Sequence, residues 1–143
     1  METALGEARA AATRGEVPVG AVIVRDGNLI SAAGNRTREM NDPTAHAEIL
    51  AIRAACQALE IERLTGCDLY VTLEPCAMCA GAISFARLGR LYFGAADIKG
   101  GAVENGPRFF SQRTCHHAPE VYSGIDEVQS SELLKEFFRQ KRD

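Results

Sequence analysis

The sequence predicts an α/β fold, a three-layer α-β-α sandwich in which helices cover both faces of a mixed β-sheet. Short runs rich in Val, Ile and Leu, which suit buried strands, alternate along the chain with Ala-rich stretches of helical periodicity. These elements follow the order β–β–α–β–α–β, and crossover helices between strands are typical of a sheet packed between helical layers. The chain has 143 residues, a length that suits one domain with one hydrophobic core.

The first half of the chain predicts two helices that flank a hairpin. Residues 3–13 place apolar side chains on one helical face, and residues 17–24 form a nearly continuous apolar run that favours a central strand. Asp26-Gly27 is a hairpin signal, and residues 29–33 are expected to return as the paired strand. A second helix is predicted over residues 45–59, after a polar loop.

The second half predicts two more strands and two more helices. Strands are expected at residues 68–73 and 90–94, with a helix over residues 76–88 between them. Residues 95–124 are interrupted by Gly and Pro, and a long irregular stretch in a compact domain is often functional. Asp126 then predicts the N-cap of a final amphipathic helix.

Composition limits the classes of function. The formal net charge of −3 disfavours a protein that coats nucleic acid, but it is compatible with a local basic patch. No apolar run is long enough to span a membrane, and the Ala-rich start of the chain does not resemble a secretory signal, so we expect a cytoplasmic protein. Five cysteines, an odd number, argue against a disulfide framework.

The strongest chemical signal is the segment Glu-Pro-Cys-Ala-Met-Cys at residues 74–79. Cys76 and Cys79 are three residues apart where a helix is expected to begin, so both lie on one face near the positive end of the helix dipole. His46 offers a third ligand, and Glu48 follows it by two residues. Three protein ligands that leave the fourth position to water are typical of catalytic zinc.

One neutral imidazole and two thiolates would leave bound zinc formally neutral and still able to lower the pKa of a water ligand to about 7. We assign Glu48 the role of taking a proton from that water, delivering it to a ring nitrogen and later protonating the departing amine. His-x-Glu followed by Pro-Cys-x-x-Cys is typical of zinc-dependent nucleobase deaminases.

Each part of this motif also has a simpler interpretation. A His-x-Glu pair is often a surface pair on a helix, and Cys-x-x-Cys occurs in structural zinc sites and in redox pairs. A structural zinc site needs a fourth protein ligand, for which Cys115, His116 and His117 are the candidates. If one of them completed the site, no position would remain for water and hydrolysis would fail.

Longer segments extend the pattern beyond the zinc motif. They are residues 15–21, 35–36, 42–48, 71–82, 94–97 and 137–139. Through these segments the chain resembles, over nearly its whole length, the bacterial tRNA-specific adenosine deaminases of the cytidine deaminase-like superfamily. The resemblance implies a central mixed sheet of about five strands and a single zinc-dependent deaminase domain over residues 1–143.

The resemblance further implies a homodimer that hydrolyses adenosine to inosine at the wobble position of a tRNA anticodon. It implies one Zn²⁺ per chain, bound by His46, Cys76 and Cys79, with Glu48 as the proton shuttle. The partner that it implies is therefore a tRNA anticodon loop.

Several substrate contacts follow from the same resemblance. Asn35 would hydrogen-bond the flipped base, Val17 and Pro18 would form a wall of the pocket, and the backbone N–H of Ala47 would lie nearby. Asn35 has an alternative interpretation as a simple turn residue.

Two further residues are implied to contact the RNA outside the pocket. Asp97 would touch a neighbouring ribose, and Phe138 would meet the anticodon loop together with basic residues of the last helix. In the simpler interpretations Asp97 is a solvated loop charge and Phe138 a core aromatic. Residues 100–107 depart from the usual family pattern, and Glu104 adds negative charge where RNA would pass.

Two other functions stay open at this point. A deaminase of a small-molecule base or nucleotide, acting on guanine or cytosine, would share the fold and would show no salt-dependent RNA binding. An inactive subunit that only binds RNA would be expected to lack the proton carrier, whereas Glu48 is present.

Overall fold

The sheet contains five strands. In chain order they are β1 (Gly20–Arg25), β2 (Asn28–Gly34), β3 (Cys67–Leu73), β4 (Arg90–Ala95) and β5 (Glu120–Tyr122). In this computed structural model, which describes residues 1–142, the strands lie side by side in the order β2-β1-β3-β4-β5. β1 is antiparallel to both β2 and β3, whereas β3, β4 and β5 are parallel to one another. The mixed sheet of about five strands is therefore confirmed.

Within residues 1–142, four α-helices complete the fold, in addition to one turn of 3-10 helix at Phe109–Ser111. They are α1 (Glu2–Thr13), α2 (Ala47–Leu59), α3 (Ala77–Phe85) and α4 (Glu127–Arg142). α1 and α4 pack together on one face of the sheet, and α2 and α3 pack together on the other. This arrangement confirms the three-layer sandwich. Asp143, the last residue of the predicted domain, lies outside the described residues.

The main core lies between the sheet and the α2/α3 layer. Along α2, the small side chains of Ala47, Ala51 and Ala55 recur every four residues and are fully buried. This stripe of small residues lets the helix lie close to large side chains of the central strands, such as Leu69 and Phe93. α2 is thus fixed against the sheet, and its first turn positions the residues around His46.

The hairpin between β1 and β2 forms where the sequence predicts it. Asp26 and Gly27 both have positive φ angles, 51° and 76°, as a two-residue type I′ turn requires. β1 begins later than predicted, at Gly20 rather than at residue 17. Pro18 has no N–H to give to a strand ladder, and the N–H of Val19 instead donates to the carbonyl of Val17.

Two other expectations at the end of the chain need correction. β5 lies within residues 95–124, where the sequence predicts only irregular structure, and its three residues are all exposed at the edge of the sheet. Such a short strand carries too little pattern to be recognised from the sequence. Asp126 precedes α4 directly but has a φ of 55°, which is not the extended backbone of a side-chain N-cap.

The direction of the strands places the ends of two helices at one edge of the sheet. β2 and β3 run the same way, because each is antiparallel to β1, which lies between them. β2 leads into α2 and β3 leads into α3, so the N-termini of both helices emerge at this edge. Within residues 1–142, none of the helices has the length and apolar character that crossing a membrane requires.

α4 approaches β4 closely at Gly94. A Cβ added there would lie 2.5 Å from Oγ of Ser130 and 2.6 Å from the carbonyl oxygen of Thr72. Any side chain at this position would therefore push α4 away from the sheet.

We predict that Gly94→Ala lowers the free energy of unfolding by about 1–3 kcal/mol, the usual cost of overpacking a core. Chemical denaturation followed by circular dichroism measures the change. Gly6→Ala in α1 is the control, because a Cβ at Gly6 meets nothing within 4 Å and alanine favours a helix. If both variants were equally stable, the close approach of α4 to Gly94 would not contribute to stability.

Candidate active site and metal centre

Three potential ligands meet at the sheet edge where α2 and α3 begin. His46 and Cys76 are the N-cap residues of these two helices, and Cys79 lies in the first turn of α3. Nδ1 of His46 is 3.7 Å from Sγ of Cys76 and 3.5 Å from Sγ of Cys79. Among the described residues, these three form a group whose ligand atoms all lie within 4.8 Å of one another.

The spacing of these atoms fits a tetrahedral zinc ion. Zn–N and Zn–S bonds of about 2.0–2.1 Å and 2.3 Å at tetrahedral angles separate nitrogen from sulfur by about 3.6 Å. The two observed distances from His46, 3.5 and 3.7 Å, lie on either side of that value. One imidazole and two thiols also form a donor set that zinc prefers.

The three residues suggested as a fourth protein ligand lie at the other end of α3. The thiol of Cys115 donates to the carbonyl of His117, 3.1 Å away, and lies 3.6 Å from Oγ of Ser84. Nε2 of His117 lies 2.8 Å from the carbonyl of Leu88. In the described residues these contacts tie the segment to the C-terminal end of α3, whereas Cys76 and Cys79 lie at its N-terminus.

The electrostatics of the site favour a bound cation. The hydrogen bond from Cys79 lowers the pKa of Cys76 to about 4 against the opposing effect of burial, so Cys76 is a thiolate at neutral pH. The same hydrogen bond, together with burial, raises the pKa of Cys79. A metal ion would remove the remaining thiol proton, because a coordinated thiol is deprotonated.

Glu48 lies beside the ligand group in the first turn of α2, with only 4% of its surface exposed. Burial is the largest cause of a pKa raised to about 7. At neutral pH such a carboxyl group can both accept and donate a proton, which is what a general acid–base requires.

A cavity of about 260 Å³ opens onto this group. Eleven residues line it: Val17, Val19, Asn35, Thr37, His46, Glu48, Leu73, Glu74, Cys76, Asp97 and Gly100. Three of the residues predicted to bind substrate, Val17, Asn35 and Asp97, are therefore brought together with the ligands and the carboxylate.

The other three predicted contacts lie outside the lining of the cavity. Pro18 is fully buried, and Ala47 contributes its backbone N–H, which donates to Oδ1 of Asn35 over 2.8 Å. This bond occupies the amide oxygen of Asn35 and leaves its NH₂ group for a substrate. Phe138, on α4, is 47% exposed, while its neighbour Phe137 is buried.

The sequence did not single out Glu74 or Glu16, two buried carboxylates that flank the cavity. Glu16 accepts the N–H groups of Arg38 and Glu39, in the loop between β2 and α2. Burial alone would raise the pKa of Glu16, but these hydrogen bonds outweigh it and lower the pKa. The one signal for Glu74 was its position between a strand and a proline, and nothing in that signal identifies its partners.

Glu74 accepts five hydrogen bonds from the loop that follows β4. Its Oε1 accepts from the N–H of Asp97 (3.0 Å) and from Nδ2 of Asn105 (2.7 Å). Its Oε2 accepts from the N–H groups of Val103, Glu104 and Asn105 at 2.9–3.1 Å. Burial by itself would raise the pKa of Glu74, but these donors outweigh burial and hold the pKa below its ordinary value.

Fold and site together define a nucleobase deaminase of the cytidine deaminase-like class. The MafB19-like deaminase family matches residues 1–142. A tRNA-specific adenosine deaminase of Agrobacterium fabrum is 69% identical over 142 residues, which are 99% of this chain and 93% of that protein. The chain belongs to the family of tRNA-specific adenosine deaminases.

Solved structures agree with this assignment. A tRNA:A34 deaminase, studied for A-to-I editing at the wobble position of transfer RNA, superposes with a TM-score of 0.93 at 69% identity, covering 94% of this chain and 97% of that one. A guanine deaminase from Bacillus subtilis is more distant, with a TM-score of 0.65 and 31% identity over 99% of this chain and 91% of its own.

We predict that Cys79→Ser strongly reduces zinc content, because it removes a thiolate from a three-ligand set. The affinity for zinc should fall by more than the about 10–100-fold that follows removal of a residue that only hydrogen-bonds to a ligand. Zinc per chain is measured by atomic emission after dialysis against a weak chelator. Cys115→Ser is the control and should keep its zinc; a full zinc load in Cys79→Ser, or a loss in Cys115→Ser, would contradict the ligand set.

Proposed function

We propose that this chain is a zinc-dependent hydrolase that converts adenosine to inosine at the wobble position of a tRNA anticodon. The observation that carries the proposal is the meeting of His46, Cys76, Cys79 and Glu48 at one small cavity. The 69% identity to a tRNA-specific adenosine deaminase supports the choice of substrate.

His46, Cys76 and Cys79 would hold one Zn²⁺ through Nδ1 and two thiolates. The N–H groups at the start of α3 stabilise negative charge on both sulfurs. When bound, Zn²⁺ supplies Lewis acidity that lowers the pKa of a water ligand to about 7. Cys79 is buried and the other two residues are half-buried, so the ligand group lies largely below the protein surface.

Glu48 would move the protons. Its carboxylate accepts a proton from the attacking water and delivers it to N1 of the adenine ring, which prepares C6 for attack. The remaining proton of that water, carried on the oxygen that has added to C6, then passes through Glu48 to the amine; the C6–N bond breaks, ammonia leaves and C6 becomes a carbonyl. Burial supports both transfers because it brings the pKa of Glu48 to about 7.

The cavity suits a single base that has been turned out of its stack. Its volume of about 260 Å³ is below the about 300–1,000 Å³ of pockets that hold drug-sized ligands. The NH₂ group of Asn35 would donate a hydrogen bond to the edge of the base, and Val17 offers an apolar wall. Anticodon loop bases are already partly unstacked, so extruding one costs only a few kcal/mol.

The alternative is hydrolysis of a free base, such as guanine or cytosine, in the same cavity. The 31% identity to a guanine deaminase supports this alternative. The presence of Glu48 in the cavity argues against an inactive RNA-binding subunit. We infer a cytoplasmic location, because a tRNA substrate would be met there.

We also propose a homodimer formed through the outer surface of α3 and the segment after α2. Phe85 on α3 is 82% exposed, and Ile61 in the segment after α2 is also exposed. The hollow beside Phe85 carries Glu62 together with Arg63 and Arg87. Because a two-fold interface apposes a surface with itself, this mixture of charges suits a second copy of the chain.

We predict that Phe85→Asp converts the dimer into a monomer, since each copy would bury a charge at the interface. Sedimentation velocity measures the change at micromolar protein. Val128→Asp, at an exposed apolar position on α4, is the control and should sediment as wild type. A wild-type chain that sediments as a monomer, or a dimeric Phe85→Asp, would reject this interface.

The function is tested by incubating the zinc-loaded chain with bulk bacterial tRNA and sequencing for inosine at the first anticodon position. We expect inosine with the wild type and, for Glu48→Gln, a rate lower by at least about 10²-fold with zinc still bound. Ammonia released from guanine, cytosine and adenosine is measured in parallel. Ammonia from a free base without inosine in tRNA would establish the alternative.

A further inference from the structure

Glu74 connects the metal ligands to the loop at the mouth of the cavity. It lies two residues before Cys76, and its carboxylate is the common acceptor for N–H groups spread over residues 97–105. The N–H of Ala102 also donates to the carbonyl of Pro75, the residue between Glu74 and the ligand. This loop contributes Asp97 and Gly100 to the cavity lining.

The backbone of the loop packs directly against the carboxylate of Glu74. A Cβ added to Gly101 would lie 2.5 Å from Cδ of Glu74 and 2.5 Å from the carbonyl oxygen of Asp97. Glycine is therefore the residue that lets the backbone pass this closely. The side chain of Asp97 in turn accepts from the N–H groups of Lys99 and Gly100, which closes the turn at the rim.

We propose that Glu74 is a positioning residue for tRNA recognition: it holds loop 97–105 in register with the metal ligands, and thereby sets the side of the cavity that faces nucleotides next to the target base. Both oxygens of its carboxylate are occupied by donors of the loop, so in this proposal Glu74 acts through the loop and not on the base itself. This inference rests on the proposed function, because it assigns the loop to the polynucleotide part of the substrate.

Glu74→Gln tests the proposal with little change in shape. An amide has one acceptor oxygen, so its NH₂ group must face either the Asp97 N–H together with Nδ2 of Asn105 or the three N–H groups of residues 103–105. One side of the loop is then released while the fold and the ligands remain. We expect the KM for an anticodon stem-loop to rise at least about 10-fold, with kcat within about 3-fold and zinc content unchanged.

Glu104→Gln is the matched control, because Glu104 is an exposed carboxylate of the same loop. Loss of a negative charge near RNA, acting by itself, would strengthen tRNA binding in both variants. Our proposal predicts opposite results: KM rises for Glu74→Gln and stays equal or falls for Glu104→Gln. A KM that falls or stays unchanged in both variants would overturn the proposal, as would a loss confined to kcat.

Amide hydrogen exchange provides a readout that does not depend on activity. Residues 97 and 103–105 should exchange faster in Glu74→Gln, while β3 and β4 keep their protection. Unchanged exchange in the loop would also overturn the proposal. If Glu74→Gln fails to fold, Gly101→Ala displaces the same loop without changing charge, and the same KM increase is expected. A wild-type chain that forms no inosine in tRNA would instead reject the function, leaving hydrogen exchange to decide the role of Glu74.

Discussion

The site depends on one constraint, the arrival of two helix N-termini at the same edge of the sheet. β2 and β3 point in the same direction although β1 separates them, so α2 and α3 begin side by side. Each helix places a potential metal ligand at its N-cap, His46 on one and Cys76 on the other. The helix dipole then acts on both sulfurs of α3, and His46 adds to its effect on Cys76. The spacing of these residues is thereby set by the backbone. The contact between the alanine-lined face of α2 and the sheet keeps that spacing fixed.

Three buried glutamates around this edge show how surroundings give one side chain different roles. Glu48 has few compensating donors, so burial dominates and its pKa rises to about 7, which suits proton transfer. Glu16 and Glu74 are equally buried, but backbone N–H groups surround their carboxylates and lower their pKa values. Those two remain charged at neutral pH and act as anchors for loops. The difference lies in the donors that the fold supplies, which the residue type alone does not reveal.

Patterns within one element were predictable from the sequence, and relations between distant elements were not. Helical and strand periodicity located four helices and four strands to within a few residues, and the Asp26-Gly27 turn formed as expected. The spacing of His46, Cys76 and Cys79 predicted their grouping, because helix starts after parallel-running strands meet at one edge. β5 was missed because three exposed residues carry no periodicity. The role of Glu74 was missed because its partners lie about 23–31 residues away and, apart from Nδ2 of Asn105, are backbone groups, which leave no mark in side-chain composition.

In the proposed function, chemistry and substrate choice would be carried by different parts of this chain. The ligands and Glu48 belong to helix starts that are fixed by the core, whereas the cavity walls come from two loops, each tied to a buried glutamate. Loops change more readily than the elements that support them, and functions are grafted onto a common fold in this way. The same sheet can therefore serve a guanine deaminase at 31% identity and a tRNA:A34 deaminase at 69%. A net charge of −3 is compatible with an anion-rich partner if a few positioned groups, rather than the charge of the whole molecule, make the contacts.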